Sequence, residues 1–142
     1  MHLRLGSEAV ARGLTAVLLA CSLASCGRPA RAVTVSWNIT PAPPMVGADT
    51  LLELRLEDAE GKPVPKAKLR LEAHMSHPGI TPMMPVPADL IEKNAGVYEA
   101  RVQLPMAGDW RFVVAGTLAD GNRFTHEMPV RGVRAATTPG GG

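Results

Sequence analysis

Apolar and polar residues alternate along most of this chain with a period of two. Val33, Val35, Trp37 and Ile39 share one face, with Thr34, Ser36 and Asn38 opposite. Leu52, Leu54 and Leu56 alternate with Glu53, Arg55 and Glu57, and Leu69, Leu71 and Ala73 with Lys68, Arg70 and Glu72. Tyr98, Ala100, Val102 and Leu104 alternate with Glu99, Arg101 and Gln103. Trp110, Phe112 and Val114 follow, then Phe124 to Val130. Successive side chains of an extended strand point to opposite faces, so each run predicts a half-buried antiparallel strand. No stretch after residue 30 carries a helical period. Turn residues separate the runs: Pro41 to Pro44, Glu60-Gly61-Lys62-Pro63, Asn94-Ala95-Gly96, Ala107-Gly108-Asp109 and Asp120-Gly121-Asn122.

Six or seven short strands joined by tight turns in about a hundred residues predict an all-β fold, an immunoglobulin-like antiparallel β-sandwich of about seven strands. The domain is expected over residues 33–131, with Trp37 and Trp110 as large core residues between its sheets. The segment Gly132 to Gly142 is small, polar and glycine-rich, and predicts a disordered tail over 132–142.

The N-terminus changes the picture by adding an address. Arg4 and Arg12 form a positive region, and Leu14 to Ala24 an apolar run too short to span a bilayer comfortably. It ends in Leu23-Ala24-Ser25-Cys26, which resembles the lipobox of bacterial lipoproteins. That resemblance implies a signal peptide over 1–25, lipidation at Cys26 and a tether over 26–32. Gly27 stands where an Asp is associated with inner-membrane retention. The expected location is therefore the cell envelope, lipid-anchored, on the outer membrane facing the periplasm if the organism has two membranes. Both cysteines are then used, Cys21 leaving with the leader and Cys26 becoming the anchor. No disulfide and no thiolate metal site are expected in the mature domain. The formal net charge is +2, and the leader takes Arg4, Arg12 and Glu8 with it, so the mature chain stays near neutral. Such a balance lacks the basic stripe that nucleic acid requires, and no nucleic-acid partner is expected.

Candidate chemistry concentrates in His74-Met75-Ser76-His77-Pro78-Gly79-Ile80-Thr81-Pro82-Met83-Met84-Pro85. Two imidazoles and three thioethers share one proline-broken segment, and His126-Glu127-Met128 repeats the chemistry later. Neutral imidazole and thioether are ligands that soft metals prefer, cuprous copper above all. The expected metal ligands are His74, His77, Met83, Met84, His126 and Met128, and the two stretches are expected to meet as a copper site. Parity puts His74 on the solvent face with Arg70 and Glu72, while Pro78-Gly79 breaks the strand and leaves His77, Met83 and Met84 on a loop. His126 and Met128 share the apolar face of the last strand, where an unpaired imidazole is costly. Met75, Met45 and Met106 are expected to pack as gap-fillers. The ligand types are similar to those of the periplasmic copper chaperones called PCuAC, although the spacings differ.

An enzyme is not expected. There is no Ser in a strained turn beside Gly, no glycine-rich phosphate cradle, and no cysteine nucleophile in the mature domain.

A family pattern also emerges. Gly47, Leu52-Glu53-Leu54-Arg55-Leu56, Gly61-Lys62-Pro63-Val64 and Ala67-Lys68-Leu69-Arg70-Leu71 precede the His/Met/Pro segment; Gly96-Val97-Tyr98-Glu99-Ala100 and Leu104-Pro105-Met106-Ala107-Gly108-Asp109-Trp110 follow it. Over Val33 to Val130 this resembles the YtkA-like family, which is similar to FixH proteins. The resemblance implies an exported or membrane-anchored sandwich linked to copper handling or haem–copper oxidase assembly. Members differ in their His and Met content, so the copper role rests on the residues above; with them, the expected function is a cuprous-ion chaperone or buffer for efflux or oxidase assembly, with a copper-transport or oxidase-assembly protein as partner. The alternative is a β-sandwich interaction module without metal, docking on a membrane complex through its proline-rich loop.

Overall fold

The computed structural model describes residues 32–76 and 85–137. Seven strands occupy them: β1 (Thr34–Thr40), β2 (Asp49–Glu57), β3 (Lys68–Met75), β4 (Val86–Asn94), β5 (Val97–Gln103), β6 (Gly108–Thr117) and β7 (Arg123–Val133). All pair antiparallel in the order β1-β2-β5-β4-β3-β6-β7. Among the described residues there is no helix, and none long and apolar enough to cross a membrane. The array is nearly closed. Its two ends approach where the chain after β1 pairs in parallel with the end of β7, through Val46 N to Arg134 O (2.9 Å) and Arg134 N to Pro44 O (2.9 Å).

The alternation read from the sequence is the burial pattern observed. Leu52, Leu54, Leu56, Leu71, Ala73, Phe112 and Val114 are fully buried, and their sequence neighbours face outward. Trp110 is buried in this core, as expected. Trp37 differs: it points inward with Val35 and Ile39 but is only half-buried. The cause is its place on β1, an edge strand with a neighbour on one side only.

β4 was not among the runs read from alternation. Its sequence, Val86-Pro87-Ala88-Asp89-Leu90-Ile91-Glu92-Lys93-Asn94, mixes proline and charge with few apolar positions. Its first half pairs with β3 (Ala73 opposite Val86, Leu69 opposite Leu90) and its second half with β5 (Ile91 opposite Glu99). At Pro87 it therefore has a partner on one side only, the local edge where a residue without an N–H is tolerated. β7 runs past the expected domain end at 131, to Val133, and Arg134 is held by the bridge to Met45. Residues 138–142, the expected signal peptide and most of the tether lie outside the described residues.

The register defines two poles. Thr34 pairs with Glu57 and Lys68 with Thr117, which pairs with Arg123, so the chain enters the domain at this first pole. At the other pole stand the end of β3 (Met75), the start of β4 (Val86), the β5–β6 turn and the bridge between Met45 and Arg134. Gly47 N donates to Leu104 O there (3.0 Å), tying two of these loops together.

Candidate functional site

Ser76 and Pro85, the described flanks of the His/Met/Pro segment, both emerge at the second pole. His77, Met83 and Met84 lie outside the described residues. The described flank before these residues is held in place. Ser76 N donates to Asp109 O (2.8 Å), and Met75 sits opposite Trp110 across the β3–β6 ladder. Gly108 adopts φ 124, and a Cβ there would come within 3.3 Å of the Met75 methyl. The Trp110 indole donates to Met106 O (3.0 Å). The Met106-Ala107-Gly108-Asp109-Trp110 stretch thus packs against the described flank at Met75 and Ser76. Met75 and Met106 both pack half-buried against the core, as expected of gap-fillers.

His74 faces outward, one residue before Met75, with Nε2 3.4 Å from Glu72 Oε2. The outward strand neighbours of that face are Arg111, which His74 pairs with, and Glu127, 3.9 Å from Arg111. A hollow of about 230 Å³ opens beside it, lined by Ser76, Asp109, Trp110, Arg111, Pro129 and Arg131.

The register does not bring His126 to this place. His74 lies opposite Arg111, and Arg111 opposite Pro129; His126 lies opposite Val114, and Val114 opposite Leu71. His126 is therefore three residues from the level of His74, about 10 Å at strand rise. It also faces the other side of the same sheet, half-buried on the inward face with Met128. Met128 is fully buried opposite Phe112, packed as a core residue. Among the described residues the His74 end of the segment and the His126–Met128 pair do not converge. Nor do three or more of His, Cys, Asp and Glu among them group as a metal site.

A hollow of about 400 Å³ lies toward the first pole at β3, β6 and β7. Lys68, Arg70 and Arg123 rim it over Ala115, Thr117 and Thr125, away from every sequence-derived ligand.

Sequence reasoning missed what the Gly-x-Tyr motif does. Tyr98 is fully buried; its hydroxyl donates to Val64 O (2.9 Å) and accepts from Ala67 N (3.0 Å). Gly96, at φ 74, lets Pro63 and Val64 approach so closely that a Cβ would lie 2.7 Å from Pro63 Cβ and 2.9 Å from Val64 N. Glu92 completes the clamp, accepting from Lys66 N (3.1 Å) and Gly96 N (3.2 Å). Burial pushes the Tyr98 phenol above its ordinary value, and the nearby Glu92 charge adds to the rise against the opposing Ala67 hydrogen bond. The shared signal was the pairing of Gly61-Lys62-Pro63-Val64 with Gly96-Val97-Tyr98, two motifs far apart in sequence that lock one strand connection.

Comparison with curated proteins gives no match. Among solved structures, MtrC from Shewanella baltica OS185 is similar over 76% of this chain and 23% of its own, at 10% identity and a TM-score of 0.50. The chain thus spans under a quarter of that protein, and the likeness is one of fold. An engineered protein aligns with 72% of this chain and 20% of its own, at 21% identity and a TM-score of 0.42. The CARDB domain of a Pyrococcus furiosus protein, solved in complex with di-metal ions, aligns over 75% of this chain and 89% of its own, at 18% identity and a TM-score of 0.40. The YtkA-like family pattern matches residues 30–115, which include both motifs above and the whole His/Met/Pro segment but end before β7. With more than half of its length matched, from the first strand to near the end of the sixth, the chain belongs to the YtkA-like family.

Proposed function

We propose that this chain is a lipid-anchored, extracytoplasmic copper-binding protein that holds one cuprous ion through residues of the segment His74 to Met84. The observation that carries the reading is the density of soft ligands in that segment: His74, His77, Met83 and Met84 within eleven residues, with Met75 at its base. Thioether and imidazole together favour cuprous copper, whereas zinc favours thiolate, imidazole and carboxylate. The ligand set is narrower than the sequence alone suggested. His126 and Met128 are left out because the register sets them on the opposite sheet face from His74. As a FixH-like lipoprotein, the chain serves as a chaperone or buffer, passing copper to an efflux or haem–copper oxidase assembly partner. Its strand order supports an immunoglobulin-like sandwich, since β1-β2-β5-β4 and β3-β6-β7 reproduce the two sheets of that fold.

The test is a competition titration of the purified chain with cuprous ion and a chromophoric chelator under reducing conditions. One ion per chain is expected, with binding weakened in acid because protonated imidazole cannot ligate. The variant combining His77→Ala, Met83→Ala and Met84→Ala should bind about tenfold or more weakly, while His126→Ala should bind as the parent does. Absence of binding by the parent would leave the docking module without metal as the reading.

A further inference from the structure

The two edge strands of the array are unlike in a way that bears on association. β7 carries the devices that keep an edge from pairing: Pro129 within the strand, and the exposed charges Arg123, Glu127 and Arg131. β1 carries none of them. Thr34-Val35-Ser36-Trp37-Asn38-Ile39-Thr40 has no charge, proline or glycine, and among the described residues β1 pairs with β2 alone. Its outer row of backbone groups is open to a partner strand.

The sequence of that edge reads nearly the same in both directions about Trp37. Laid antiparallel against a second copy of itself, Thr34 meets Thr40, Val35 meets Ile39, Ser36 meets Asn38, and Trp37 meets its counterpart. Each pairing matches like with like: threonine with threonine, β-branched with β-branched, small polar with small polar. These are cross-strand pairs that stabilise a sheet. The parity is also conserved, because Val35, Trp37 and Ile39 face inward in both copies and the polar residues face outward. Trp37 is half-buried, and its indole N–H has no hydrogen-bond partner among the described residues, unlike that of Trp110.

On the outer face of β2, Arg55 lies opposite Ser36 and Glu53 opposite Asn38. Self-pairing would therefore set Arg55 of one copy in the same row as Glu53 of the other, an arrangement of opposite signs.

We propose that β1 is the docking edge for a second copy of this chain, forming a closed two-fold dimer with one continuous sheet through Trp37. A two-fold interface uses the same patch twice and leaves no free copy of it, while the guarded β7 edges stop further growth. The axis runs perpendicular to the sheet, so the two chain entrances lie in one plane, about 20 Å apart along the strands at ordinary rise. Tethers from both can reach one common surface. Nothing in this requires metal.

The experiment is sedimentation of the processed chain, in mild detergent, across a concentration series. The parent is expected to sediment as two chains. Ser36→Lys with Asn38→Lys sets lysine against lysine twice across the axis and should sediment as one chain; Ser36→Glu with Asn38→Glu should do the same. An equimolar mixture of the two double variants should recover the dimer, which also shows that both are folded. A second arm mixes Ser36→Cys chains with Asn38→Cys chains under oxidising conditions. A disulfide-linked pair is expected from the mixture, above the level given by either variant alone or by the parent. The proposal is overturned if the parent stays monomeric at the highest concentration. It is equally overturned if the lysine variant dimerises like the parent, or if the cysteine mixture links no better than its separate components.

Discussion

The Tyr98 hydroxyl holds together a segment that has no strand of its own. Residues between Val64 and Ala67 are fixed because one side chain both donates to Val64 O and accepts from Ala67 N, in a place closed to water. Gly96 makes the approach possible, and any side chain there would meet the rigid Pro63 ring and the backbone of Val64 and Leu56. Removing the hydroxyl in Tyr98→Phe leaves two backbone groups without their partner, and should cost about 1–3 kcal/mol in denaturant unfolding. The same residue sets a pH dependence. Its phenol is held above the ordinary 10.0. The unfolded chain therefore releases that proton first as pH rises. The stability contributed is full below the unfolded value and is lost as pH climbs through the folded one. The parent should show an alkaline fall in stability above pH 10 that Tyr98→Phe lacks. Identical alkaline slopes in the two proteins would show that Tyr98 is not the group responsible.

Among elements, the contrast between β1 and β6 decides what each tryptophan is worth. β6 lies between β3 and β7, so Trp110 is enclosed on both sides and buried. β1 has one neighbour, and Trp37 keeps part of its surface in solvent. Trp110→Ala should cost about 3–5 kcal/mol, the range for emptying a large core site, and Trp37→Ala distinctly less. Equal losses in chemical denaturation would mean that Trp37 is as enclosed as Trp110. Six of the seven strands were legible because each keeps one face in the core and so alternates strictly. β4 was not, because it changes partner midway, with a register shift between Glu92 and Asn94. A strand that leaves one sheet for the other has no single face to keep apolar, and exposed Ile91 breaks the pattern further. The candidate site was legible only in part. Ligand types and the outward face of His74 follow from composition and parity. The level of His126 depends on pairing through β6, which no local pattern encodes.

For the whole molecule, the two poles separate the point where the chain enters from the flanks of the His/Met/Pro segment. The chain enters at Thr34, beside Glu57, and the His/Met/Pro segment leaves from Ser76 and returns at Pro85 at the other end of the strands. A seven-residue strand such as β1 covers about 23 Å, so the flanks of the segment stand roughly that far from the point where the tether joins. A lipid on Cys26 would then join the domain through the first pole, a strand's length from the flanks of the segment, which leaves those flanks clear of the point of entry for a copper donor or acceptor. This arrangement predicts that anchoring and metal binding are separable. Cys26→Ser should move the chain from the membrane to the soluble fraction and abolish incorporation of labelled fatty acid. Its cuprous affinity should equal that of the parent, because the chain enters the domain at the pole opposite the flanks of the segment. A membrane fraction unchanged by the substitution would sink the lipoprotein reading. Release from the membrane with weakened copper binding would instead mean that the tether reaches the segment and takes part in the site.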